Sequence, residues 1–207
     1  LIRFLTGFFL AGIYPVGMKI ASDYYESGLG KSLGFLVGAL VLGTAFPHLL
    51  KGFGTVFPWK IVIGMTSACA ILGGALMLVF VPNGPYRKLA AKLDFSILYK
   101  VFKQRSFRQA AFGYFGHMWE LYAMWSWIGV ALAASFAFRM PEEDAVQFAK
   151  LMAFTIIAAG AISCPLAGWF ADKVGKAELT IIAMAVSGSC AILFALTFGG
   201  SVWLTIV

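Results

Sequence analysis

The chain alternates long apolar runs with short polar breaks. The apolar runs cover 2–21, 32–50, 61–81, 110–138, 148–170 and 179–198, and a seventh opens after Gly199-Gly200-Ser201 and is cut short at Val207. Each full run is near the roughly 20 residues that a helix needs to cross a hydrocarbon core of about 30 Å. Lipid offers the backbone no hydrogen-bond partner, so every run has to satisfy its own amides as a helix. The alternating ten-residue pattern of a membrane β-barrel is absent. The pattern predicts an all-α polytopic bundle with six full spans and a truncated seventh.

The polar breaks set the organisation. Pro82-Asn83-Gly84-Pro85 stops the third run, because proline cannot continue the helical ladder. The long hydrophilic stretch that follows holds Arg87, Lys88, Lys92, Lys100, Lys103, Arg105 and Arg108 against one acid, Asp94. Within it, Phe95, Leu98 and Phe102 recur at helical spacing among lysines, as in a helix lying on a membrane surface. Three parts result: 1–82 with three spans, a basic loop at 83–109, and 110–207 with three spans and the start of a fourth. Cation placement orients them. With the basic loop in the cytoplasm, turns 22–31 and 171–178 fall there too, while 139–147 carries three acids on the other side.

Composition excludes more than it adds. The chain is 61% hydrophobic and 12% charged, about half the charge of a soluble domain. Its net charge of +7 sits mostly in one loop, so a membrane surface accounts for it and nucleic acid is not an expected partner. Cys69, Cys164 and Cys190 lie in apolar runs without ligand spacing and read as small packing residues. No nucleophile–base pair, metal-ligand spacing or phosphate loop is visible, so neither an enzyme nor a cofactor is expected. The chain opens on Leu1 inside one apolar run and stops inside another, which reads as an internal stretch lacking flanking helices of a longer parent.

One turn carries a motif. Gly168-Trp169-Phe170-Ala171-Asp172-Lys173-Val174-Gly175-Lys176 follows the fifth run. Gly175 supplies the left-handed backbone that a tight helical hairpin needs, and Asp172 and Lys173 can pair with helix ends. The string resembles the G-x-x-x-D-[RK]-x-G-[RK] loop of the major facilitator superfamily, in the weaker copy that lies between that family's eighth and ninth helices. Arg3, Gly7 and Gly12 match its fourth-helix pattern, and Gly30, Gly34, Gly38 and Gly43 with Pro47 its fifth-helix small-residue pattern. The latter lacks the mid-helix Gly-Pro of the antiporter form, which argues against drug/proton antiport. Tyr14-Pro15, Lys19 and Ser22-Asp23-Tyr24-Tyr25 look more like the family's anion and organic-acid symporters. The resemblance implies a parent of about twelve helices, of which this chain is the fourth to the start of the tenth. It further implies a multi-pass protein of a plasma membrane, the bacterial inner membrane, moving a small solute by proton- or ion-coupled alternating access. A facilitator-fold sensor that moves nothing is the alternative.

Individual residues sharpen the expectation. Glu120 falls near mid-membrane, where a carboxylate is costly and should face a wet interior, as proton carrier or substrate contact or as a packing acid held by a neighbouring helix. His117, one turn earlier, suits a proton relay or a hydrogen-bonded packing role. Two such groups without further ligands do not make a metal site. Tyr114, Trp119, Tyr122, Trp125 and Trp127 crowd the same run, and Tyr114 and Trp127 are candidates for stacking a solute. Arg3 is a coupling candidate by resemblance, whereas Lys19 lies four residues before Asp23 and needs only an ion pair. Gly30, Gly34 and Gly38 form one small-residue stripe and Gly160, Cys164 and Gly168 another, with Pro165 between. Such stripes pack helices closely. The resemblance adds that the two face each other across the halves and slide during transport, with Gly168, Asp172, Lys173, Gly175 and Lys176 as the gating loop.

Overall fold

The computed structural model describes residues 2–52, 58–87 and 96–206, except for the side chains of Arg3, Trp59, Leu98 and Leu204. Every element among them is helical: α1 Ile2–Ser22, α2 Leu29–Gly52, α3 Trp59–Phe80, α4 Ser96–Lys103, α5 Arg105–Phe136, α6 Glu142–Val174, α7 Lys176–Thr197 and α8 Val202–Ile206. Five of these, α1, α2, α3, α6 and α7, are long and apolar enough to cross a membrane. The 32-residue α5 has the length but not the apolarity, because His117, Glu120 and the Trp and Tyr side chains interrupt it. That polarity suits a helix that turns part of its surface away from lipid.

Several helices outrun their apolar stretches. α6 starts at Glu142 and not near 148, since Glu142, Glu143 and Asp144 sit favourably at the positive end of a helix. α2 begins at Leu29, after Gly28 with φ +69, so turn 22–31 is shorter than its polarity suggests. Between α6 and α7 only Gly175 intervenes, with φ +120, a conformation that side-chain-bearing residues rarely adopt.

The interior is narrow and built around α6. α2 runs antiparallel to α6 along its whole length, and α5 packs on the first half of α6. Leu132 and Phe136 of α5 bury against Ala145, Ala149 and Ala153 of α6. Val41 and Ala45 of α2 meet Ile157, with Trp125 of α5 packed beside them. α1 touches α2 more sparingly, and α3 is held through its end: the Tyr86 amide donates to Asp23 O at 3.0 Å and the Tyr24 hydroxyl donates to Pro82 O. These contacts gather 22–31, 82–87, 96–108 and 171–178 at one end of the bundle. At the other end, Arg139 Nε donates to Gly199 O and Gly200 O at 3.3 and 3.2 Å, and the buried Ser135 hydroxyl accepts from the Gly199 amide at 2.9 Å.

Candidate functional site: a glycine seam and an isolated carboxylate

The α2–α6 seam is a contact of backbones. A Cβ on Gly30 would lie 2.5 Å from Gly168 O, one on Gly34 2.7 Å from Cys164 O and Pro165 Cα, and one on Gly38 2.6 Å from Ala161 O. Only hydrogen fits at these three positions, so the helices approach as closely as α-helices can, with Cα–H groups turned toward carbonyl oxygens. Further along, Gly160 faces Val41 and the Leu151 side chain covers Gly52, whose carbonyl accepts from Gln147 Nε2 at 3.3 Å. Of the three cysteines, Cys164 packs in this seam, whereas Cys69 and Cys190 lie on exposed faces of α3 and α7.

The motif residues close one end of the seam. The Asp172 carboxylate sits beside Gly30, with Oδ1 2.8 Å from where a Cβ there would stand, at the start of α2. Amides in a first helical turn lack intrahelical partners, so a carboxylate is favourable there. Lys173 Nζ lies 3.5 Å from the centroid of the Trp169 ring. Gly175 forms the corner that turns Lys176 into α7, with the Glu178 carboxylate folded against it.

Glu120 stands at the midpoint of α5, half-buried. Its carboxylate accepts a 2.5 Å hydrogen bond from the Ser187 hydroxyl of α7. Asp23 differs: it is paired with Lys19, one helical turn back. His117 is exposed, and no hydrogen bond to it is found among the described residues. The aromatic residues divide. Tyr14 of α1 lies within electrostatic reach of Tyr114 and Tyr122 of α5 and of Cys164 of α6. Tyr122 stacks edge-on with Trp125, which is packed toward α2 and α6. Trp127 is exposed. Tyr114 and Tyr122 are both exposed, while Glu120 faces α7 through Ser187. Sequence reasoning names Tyr14 only within the symporter-like tail of the first run and does not single out Ser187 or His48 of α2, whose ring faces Gly129 of α5. His48 had a usable signal, a lone ionisable residue in an apolar run. The Arg3 side chain and Lys88, Lys92, Asp94 and Phe95 lie outside the described residues.

Two cavities lie away from Glu120. One of about 310 Å³ is bounded by Ile20, Asp23, Met77, Val81 and Asn83, and one of about 480 Å³ by Lys51, Glu142, Glu143, Gln147 and Lys150 at the opposite end. Among the described residues, no three His, Cys, Asp or Glu side chains gather as metal ligands.

Long apolar helices packed through small residues, with ionisable groups inside, define a polytopic helical membrane protein. Its family follows from comparison: the profile of the Major Facilitator Superfamily matches residues 1–207, and the chain belongs to that family of membrane transporters. Neither a curated protein nor a solved structure matches the chain.

Proposed function

We propose that the chain belongs to a proton- or ion-coupled secondary transporter, moving a small solute, an organic or inorganic anion, by alternating access. The observation that carries the coupling is Glu120, a mid-helix carboxylate held by a hydroxyl and not by a cation. An acid paired with lysine, like Asp23, leaves that lysine unpaired if it takes a proton. Glu120 can gain or lose a proton against Ser187 without stranding a second charge, because a hydroxyl can accept as well as donate. His117, one turn earlier in the sequence, is the candidate to pass that proton on. Tyr14, Tyr114 and Tyr122 present hydroxyls and ring edges suited to holding the solute, and Trp127 and Arg3 remain candidates for coupling or contact.

The seam provides the movement. Two stripes without side chains can part or slide with little rotamer reorganisation, and Asp172 at the start of α2 acts as the latch. Gly168, Lys173, Gly175 and Lys176 form the rest of this gate, which we place on the cytoplasmic face of a bacterial inner membrane with the basic loop. Pro165 weakens the α6 ladder beside Gly34, because proline donates no backbone hydrogen bond. The test is proton-driven solute uptake by the full-length protein with Glu120→Gln. Loss of accumulation with solute exchange retained is expected, and unchanged coupling would remove Glu120 from the mechanism.

A further inference from the structure

α4 is attached to the bundle in an unusual way. It is a two-turn helix at the end of the molecule where the basic turns gather, and it is too short to hold itself together in water. Its C-terminus is capped from outside: the Arg108 guanidinium, from the first turn of α5, donates to Phe102 O at 3.2 Å and Lys103 O at 3.1 Å. The Phe102 and Phe107 rings meet edge-on at 5.2 Å, and the Arg108 amide donates to Gln104 O at 3.1 Å. The two helices thus form a fixed corner with Gln104 at its apex.

What this corner presents is chemically one-sided. Residues 96–108 contain Lys100, Lys103, Arg105 and Arg108 and no acid. Among the described residues none of the four cations has an acidic partner within ion-pair distance. Lys100 and Lys103 share one face of α4, three residues apart. Ile97 and Val101 lie on another face, and Ile97, Tyr99, Phe102 and Phe107 are all exposed. Lys103 Nζ lies 4.6 Å from the centroid of the Tyr99 ring, which leaves it without a counter-charge. Apolar side chains beside cations that lack an acidic partner among the described residues, at the level where the spans end, match the boundary between acyl chains and negatively charged headgroups.

We propose that the α4–α5 corner is a binding surface for anionic lipid headgroups. Ile97 and Phe102 enter the acyl boundary, Lys100, Lys103 and Arg105 bind the phosphates, and Arg108 ties the anchored helix to α5. The proposal rests on membrane embedding and is independent of the transport reading.

The test follows amide hydrogen exchange across 96–103 in the intact chain, in nanodiscs of phosphatidylcholine with and without phosphatidylglycerol. Exchange is expected to slow on adding the anionic lipid, on the order of fivefold for each engaged cation. High salt should remove that slowing, and Lys100→Gln with Lys103→Gln should remove most of it, while Ile97→Ser should raise exchange in both lipids. Inorganic phosphate added to phosphatidylcholine discs should leave exchange unchanged. Equal exchange in the two lipids overturns the proposal, as does slowing that survives both high salt and the double variant. Equal slowing by free phosphate overturns it in favour of a soluble anion site.

Discussion

Helices α2 and α6 are less apolar than α3 and α7, yet they hold most of the buried residues, while α3 and α7 hold none among the described residues. In a water-soluble protein this ordering would be inverted, because apolar area drives burial there. In lipid the acyl chains are as apolar as leucine, and interior positions go to residues that permit close packing. Gly34, Gly38, Ala45, Ala149 and Ala153 are inside, whereas Leu78, Leu196 and Ile181 face outward.

The largest effect should come from filling the seam. Gly34→Leu drives a side chain into Cys164 O and Pro165, and should cost about 3 kcal/mol or more, read as earlier thermal unfolding in detergent. Gly73→Leu in α3 meets open space and should leave stability within about 1 kcal/mol of the parent, since leucine is also the better helix former. Equal losses at the two sites would break the comparison. Next in size, Ser187→Ala should cost about 0.6 kcal/mol by removing the hydroxyl bond that links α5 to α7. Asp172→Asn should weaken the closed end of the seam by about 0.5 kcal/mol, seen as faster amide exchange in the first turn of α2 and not at its Gly52 end. The smallest change is expected from Leu196→Ala, an exposed position on α7, with a shift under about 0.5 kcal/mol.

Much of this contrast can be read along the chain. The four-residue spacing of Gly30, Gly34 and Gly38, and of Gly160, Cys164 and Gly168, marks two close-packing faces without any tertiary information. The positive φ of Gly175 and the Lys19–Asp23 pair follow from local patterns too. The division within α5 was also legible in part, because six residues of helix turn Glu120 onto a different face from Tyr114. What lay beyond reach was the choice of distant partners. Nothing local to Arg139 names Gly199 and Gly200, or to Tyr24 names Pro82, and nothing near Glu120 selects Ser187. Such bonds depend on which helix ends meet. Periodicity is silent about that.

The proposed mechanism requires the α2–α6 seam to open and close at its Gly30 end as Glu120 gains and loses a proton. Spin labels at Lys31→Cys and Val174→Cys, with the native cysteines replaced, report the distance across that end in the full-length protein in liposomes. Two distance populations are expected, with a ratio that shifts on acidification and that Glu120→Gln holds at the acid value at every pH. A single distance, unmoved by pH and by Glu120→Gln, would contradict it.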